Sequence, residues 1–471
     1  MASPRYMTMP KSIAIGLSAL ILTGCASFSK DGGLDAVSAL TSERIGQTAQ
    51  FAKTGSAAQD GETMMRQLLS KPLTADNAIR ISLINNPGLQ ASLAELGVAE
   101  ADLVQAGRMR NPGFSFGRMR GGEDVEIERS IMFDLVGLLT IPMRSKIEGR
   151  RFEQAKLEAA SQAVRLAADS RRAYFNAVAA RQTMLYMEQV GEAAEAGAEL
   201  AKRMARVGNL SKLDQARQQV FYADASAQIA RARHNATATR EQLTRLLGLW
   251  GDNAAFTLPD RFADLPKVPA GMAGIESQAV SQRLDLQMAR RDAEATASAL
   301  GLSRATGFIN VLDAGYTNKS ETGKPRSNGY EISIELPLFD WGTSRTAKAE
   351  ALYMQAVHRT ADTAIRARSE VREAYSAYRT AHDLARHYGD EVVPLRKKIS
   401  DEVLLRYNGM LTGIFELLAD AREQIGSVNT SIEAQRDFWI AETDLQAAIN
   451  GNGGGGTQLR ARPAAEAARE H

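Results

Sequence analysis

Val125-Glu126-Ile127-Glu128-Arg129-Ser130-Ile131-Met132-Phe133-Asp134-Leu135 alternates with period two. Val125, Ile127, Ile131, Phe133 and Leu135 point one way, and Glu126, Glu128, Ser130, Met132 and Asp134 the other. About ten residues of such alternation is the length a tilted strand needs to cross a bilayer. This strand does not lead into another strand. It leads through Gly137 and Pro142 into a long helical run, and the event recurs. Tyr330, Ile332, Ile334, Leu336 and Leu338 alternate with Glu331, Ser333 and Glu335, and a second long run follows.

The helical runs are of unusual length. Arg144 to Val190 holds one Gly (Gly149) and no Pro, and is rich in Ala, Leu, Glu, Gln and Arg. Continued to about Arg206, it predicts a rod of roughly 90 Å at 1.5 Å per residue. A second rod returns from Leu210 to Leu247, free of Gly and Pro, and stops at Gly248. Pro259, Pro266 and Pro269 then mark an irregular linker.

After the linker the pattern restarts. Leu89-Gln90 aligns with Leu286-Gln287, Glu95 with Asp292 and Leu103 with Leu300. Further on, Ile131-Met132-Phe133-Asp134-Leu135 aligns with Ile332-Ser333-Ile334-Glu335-Leu336, Arg144 with Arg345, and Ala173-Tyr174 with Ala374-Tyr375. Ordered matches across strands and helices identify a tandem duplication. The strands are expected at about Gly113–Met119 and Val125–Leu135, then Phe308–Thr317 and Tyr330–Leu338, with Asn318 to Gly329 as a longer second hairpin loop. Ahead of them, Thr74 caps a helix, Asn86-Pro87-Gly88 breaks it, and Asn111-Pro112-Gly113 ends the next.

Four amphipathic strands cannot close a barrel, and lipid forbids an open sheet edge. The smallest membrane barrels have about eight strands. The chain must therefore pool strands with copies of itself.

At the N-terminus Arg5 and Lys11 precede an apolar segment, Ile13 to Leu22, and then Leu22-Thr23-Gly24-Cys25. This reads as an export signal ending in a lipobox, with Cys25 the lipid acceptor. Cys25 is the sole cysteine, so no disulfide within the chain is possible. Cleavage before Cys25 removes Arg5 and Lys11 and no acid, so the formal charge falls from +2 to zero. The basic residues are spread out and matched by acids, which disfavours nucleic acid. The expected organisation is a signal peptide (1–24), a lipid-anchored, weakly patterned extension with a short helix at Glu62 to Leu69 (25–70), a first repeat (71–258), a Pro-rich linker (259–272), a second repeat (273–450) and a flexible tail (451–471).

Two segments interrupt the rods with Gly and Asn: Arg206-Val207-Gly208-Asn209-Leu210-Ser211, and Arg406-Tyr407-Asn408-Gly409-Met410-Leu411-Thr412. They read as helix–turn–helix tips. No chemistry-bearing constellation accompanies them. His234, His358, His382, His387 and His471 show no ligand spacing with acids or Cys, so no metal site, catalytic residue or cofactor is expected. Met109, Met119, Met132 and Met143 cluster near the strands, where packing is the commoner role of Met.

Leu73-Thr74 through Asn86-Pro87-Gly88-Leu89-Gln90, then Ala99-Glu100-Ala101 and Asn111-Pro112, resembles the opening signature of TolC-type outer membrane efflux proteins. Leu336-Pro337-Leu338-Phe339-Asp340-Trp341-Gly342, followed by Arg345, is similar to their strand-to-helix exit in the second repeat. The resemblance runs from about Pro72 to Gly451 and, with Cys25, points to the lipoprotein branch. It implies an α+β membrane protein: a homotrimer with a twelve-stranded outer membrane β-barrel continuous with a long periplasmic α-helical barrel.

It also implies partners, namely a periplasmic adaptor (membrane fusion) protein and an inner membrane pump of the resistance-nodulation-division type. Val207, Gly208, Asn209, Leu210, Asn408, Gly409, Met410 and Leu411 fall at the adaptor-contacting tips. Asp214 and Tyr407 fall where the family latches neighbouring coils, and Glu416 where an acid rings the constriction. Thr412 departs from relatives with an Arg there, and Ala419 sits where a second acid ring could be. The implied function is a passive exit duct for drugs or metal ions. A lipid-anchored coiled-coil scaffold and the exit channel of a type I protein secretion system are the alternatives.

Overall fold

The computed structural model describes residues 27–49, 56–269, 271, 273–306, 311–335, 339 and 341–451. Cys25 and the segment before it, Leu336 to Leu338, Asp340 and the tail beyond Gly451 lie outside these residues. The helices are α1 (Leu34–Ile45), α2 (Ser56–Leu69), α3 (Ala75–Asn85), α4 (Pro87–Ala106), α5 (Leu135–Arg206), α6 (Lys212–Leu247), α7 (Ile275–Gln282), α8 (Leu284–Ala305), α9 (Thr343–His387), α10 (Val393–Asn408) and α11 (Ile414–Asn450). The strands are β1 (Gly113–Gly121), β2 (Asp124–Asp134), β3 (Leu312–Glu321) and β4 (Ser327–Ile334). A single turn of π-helix, Tyr388–Val392, joins α9 to α10. Among the described residues no helix is long and apolar enough to cross a membrane.

The chain divides into two units. Unit 1 comprises Met1–Ala36, Leu93–Glu158 and Gln287–Thr363. It contains the sheet, antiparallel throughout in the order β1-β2-β3-β4. The tight β1–β2 turn falls at Gly122, whose φ of 65° suits glycine. The second hairpin loop is shorter than expected. β3 and β4 stay paired from Leu312↔Ile334 to Lys319↔Ser327, so the polar run from Asn318 to Gly329 is largely strand. Asn318 donates its side-chain amide to Asn328 Oδ1 at 2.7 Å, which explains how two polar residues extend the ladder. Helices α8 and α5 are joined in this unit by Arg150, which bonds the Glu294 carbonyl and the Ser298 hydroxyl.

Unit 2 comprises Val37–Ser92, Ala159–Leu286 and Ala364–His471. Its core forms where α5 buries Ala160, Ala163, Val164, Ala167, Ala173, Tyr174, Ala177 and Val178, spaced three and four apart along one stripe. Small residues there let neighbouring helices approach closely. Around them gather Leu73, Ile81, Leu243, Leu247 and Phe256, and a second cluster surrounds the fully buried Phe438.

The tandem repeat is visible at two equivalent junctions. Thr74 caps α3 by accepting from the Asn77 amide at 3.2 Å, and α3 breaks at Asn86-Pro87. The side-chain amides of Asn85 and Asn86 then donate to the Leu247, Gly248 and Leu246 carbonyls at the end of α6. In the second repeat Arg283 stands where the Leu89/Leu286 alignment puts Asn86. It donates to the Ala448 carbonyl at the end of α11 and pairs with Asp285 and Glu370 at 2.6 and 2.7 Å. Gly248 (φ 67°) and Gly451 (φ 96°) end the two long helices in the left-handed conformation. Different side chains thus satisfy the same orphan carbonyls.

The N-terminal segment departs from expectation. Residues 34–45 form α1, which buries Val37 and Thr41, and Arg44 donates to the Gln282 carbonyl. Helix α2 starts at Ser56 and contributes Met65 to the core. The alternation is weak because α1 presents few apolar positions, and its packing rests on tertiary contacts.

Candidate functional site: strand faces and hairpin tips

The register sorts the sheet into two chemically opposed faces. On one, Phe114, Ile131, Tyr316 and Tyr330 form a row, and Phe133, Ala314 and Ile332 the next. Phe114 is 67 %, Ile332 72 % and Tyr330 92 % exposed, and the Tyr316 and Tyr330 rings meet edge to face at 6.3 Å. Leu138 and Leu139 at the start of α5 are likewise exposed. So large an exposed apolar surface marks contact with lipid or protein.

Polar residues interrupt this face, Arg129 at their centre. Arg129 belongs to it, because β2 alternates without a bulge, and the next row reads Phe116, Arg129, Asn318, Asn328. Arg129 lies over the Phe116 ring at 5.8 Å and donates to Asn318 Oδ1 at 3.3 Å. The apolar band therefore ends in a polar rim at this row. Val125 and Ile127 lie beyond it, beside Arg120 and Arg118.

The opposite face is acidic. Asp124, Glu126, Glu128, Asp134, Asp313, Glu321 and Glu331 share it with a single lysine, Lys319. Glu126 sits directly across from Glu321, and Asp134 from Asp313. Such like-charged neighbours are unfavourable. Lys319 pairs with Glu126, and Arg110 stands 3.7 Å from Asp134. Asp134 also accepts from the Gly137 amide at 2.5 Å, capping the start of α5. Gly315 has a steric role. Any Cβ there would collide with the Met132 thioether and lie 2.6 Å from the Ile131 carbonyl oxygen.

Both tips, in unit 2, share one hydrogen-bond pattern. At the end of α5 the Gly208 amide donates to Ala205 and the Asn209 amide to Met204. At the end of α10 the Met410 amide donates to Tyr407 and the Leu411 amide to Arg406. This is the Schellman arrangement, which needs a left-handed residue after the cap. Gly208 supplies it with φ 83°. In the second tip Met410 supplies it with φ 59°, while Gly409, the residue the sequence singles out, has φ −78°. Met410 and Leu411 are 94 % and 80 % exposed, and Val207 is exposed as well.

Ser211 caps α6, accepting from the Asp214 amide at 3.0 Å and donating its hydroxyl to the Asp214 carboxylate at 2.7 Å. Asp214 also pairs with Arg217 at 3.2 Å. Tyr407 is half-buried, and Glu416 is exposed with its carboxylate against the Thr412 hydroxyl. Ala419 is exposed, whereas Asp420 is buried with one carboxylate oxygen unpartnered.

Sequence reading missed how α6 and α11 meet. Arg217 lies over Phe415 at 5.2 Å, and Arg422 over Phe221 at 5.6 Å. Each helix gives one cation and one ring. Further along α11, burial raises the Glu442 carboxyl pKa against the attraction of Arg171, and Asp76 adds to the rise. Burial likewise pushes Tyr174 up to about 12. No group of three or more His, Cys, Asp or Glu residues able to hold a metal exists among the described residues.

The sheet has one apolar and one acidic face, and the long helices form two hairpins with matching tips. Residues 276–451 match the outer membrane efflux protein family. A cobalt-zinc-cadmium resistance protein, CzcC, of Cupriavidus metallidurans is 23 % identical over 274 residues, covering 57 % of this chain and 64 % of that protein. The aligned region thus spans less than two thirds of the relative.

A membrane protein from Pseudomonas aeruginosa superposes with a TM-score of 0.70 at 19 % identity, over 80 % of this chain and 93 % of that one. The outer membrane protein VceC from Vibrio cholerae does so with 0.67 at 16 % identity, over 80 % and 96 %. The fold is theirs.

Proposed function

We propose that the chain is the exit duct of a tripartite efflux system, anchored in a bacterial outer membrane through lipid on Cys25. The observation that carries this is the four-stranded sheet with two unpaired edges, an apolar face and an acidic face. Three copies pooling four strands each close a twelve-stranded barrel, with the apolar rows toward lipid and the carboxylates toward water. The helical hairpins extend into the periplasm, where Val207 to Leu210 and Asn408 to Leu411 meet a periplasmic adaptor. The adaptor joins the duct to an inner membrane pump of the resistance-nodulation-division type. Asp214, Tyr407 and Glu416 then belong to the gate. The duct is passive, and the pump supplies the energy.

Divalent metal cations are the favoured cargo. The carboxylate-lined face concentrates cations, and the relative from Cupriavidus metallidurans is by its name a cobalt, zinc and cadmium resistance protein. Reconstitution of the purified, lipidated protein in planar bilayers tests the duct. A trimer with cation-selective conductance is expected; a monomer that leaves the bilayer electrically silent ends the proposal. A deletion strain should become sensitive to cobalt, zinc and cadmium, and sensitivity to dyes alone would reassign the cargo.

A further inference from the structure

A cavity of about 250 Å³ lies within unit 2, between α5, α6 and α11, beside the Arg422–Phe221 contact. We infer that it binds a small neutral aromatic molecule bearing one hydroxyl donor, a phenol. Its apolar walls are Met187 and Val190 from α5, Phe221 and Ala225 from α6 and Ile425 from α11, and Gln228 of α6 adds a polar group. Apolar cavities of about 150 Å³ already hold a benzene ring, so the volume admits one ring with a substituent.

The polar groups specify the rest. Asn429 donates Nδ2 to the Met187 thioether at 3.8 Å. A thioether accepts and cannot donate, which orients the amide and sends Oδ1 the other way. That oxygen is buried and has no partner among the described residues. It calls for a donor from whatever fills the space. At the rim, Asp224 and Arg422 stand 3.7 Å apart and offset one another, so the site selects neither cation nor anion. An aromatic ring against Phe221 and Ile425, with its O–H on Asn429 Oδ1, meets the apolar walls and the unpartnered acceptor. This site does not depend on the efflux proposal, since ligand binding is measurable without transport.

The test is ligand-observed fluorine NMR on the detergent-solubilised full chain, with 4-fluorophenol and fluorobenzene as probes. Wild type should bind 4-fluorophenol saturably and at least tenfold more tightly than fluorobenzene, which lacks the donor. Asn429→Leu should bring 4-fluorophenol down to the fluorobenzene level. Gly426 lines the cavity, and nothing stands within 4 Å of where its Cβ would be. Gly426→Leu adds a side chain at this exposed edge of the cavity while putting a better helix former into α11, and should reduce binding of both probes at least tenfold. Absence of saturable binding to wild type, equal affinity for the two probes, or binding unchanged in Gly426→Leu each overturns the assignment. The comparison of the two probes on wild type needs no variant to fold.

Discussion

Gly208 and Met410 occupy equivalent places in the two tips and make the same hydrogen bonds, yet only one is suited to its backbone. A left-handed conformation costs a non-glycine residue about 1–2 kcal/mol. Met410→Gly should therefore stabilise the second tip by about 1 kcal/mol, and Gly208→Ala, which meets no neighbouring atom, should destabilise the first by about 1 kcal/mol. Hydrogen exchange at the amides of 206–212 and 406–413 reads both changes locally. Equal protection before and after would mean that the tips are not held by their caps.

Glu442 gives a pH-dependent expectation. Its carboxyl pKa is raised in the folded chain by burial, so the folded state holds its proton to higher pH than the unfolded chain does. The stability this lends is fully present below the unfolded value near 4.5 and is lost as pH rises through the folded one. Glu442→Gln should raise the melting temperature at pH 7, with the advantage fading below about pH 4.5.

Among the elements, β2 and β3 depend on the absence of a side chain at 315. The Met132 side chain crosses β3 over Gly315, so Gly315→Ala forces the two strands apart or Met132 into another rotamer. Overpacking of this kind costs about 1–3 kcal/mol, expected as a lower temperature for the change in gel migration on heating. A variant that migrates as wild type would show that the strand pair yields freely.

Much at this scale is legible beforehand. Thr74 as a cap, the break at Asn86-Pro87 and the alternation through β2 all rest on local backbone chemistry. Arg129 was legible too, since strict alternation leaves it no other face. The apolar residues around it hid the polar rim. Helix α1 was not legible, because its stability comes from partners distant in sequence, such as Gln282 for Arg44.

For the whole molecule, the gate is the claim most open to experiment. Asp214 already bonds Ser211 and Arg217 in its own helix, and Tyr407 is half-buried at the neighbouring tip. Combining Tyr407→Phe with Asp214→Ala should raise single-channel conductance in planar bilayers, and unchanged conductance would remove both residues from the gate.

The sequence by itself determined the duplicated plan, the strand-to-helix transitions and the tips. Period and breaker residues are readable one segment at a time. Only the tertiary structure decided that Met410 rather than Gly409 turns the second tip. It alone put rings and guanidinium groups opposite one another between α6 and α11, and left a cavity with an unpartnered Asn429 oxygen among three helices. Those outcomes depend on how far each helix is rotated against its neighbour. That rotation is set by packing over the whole interface, and no single segment encodes it.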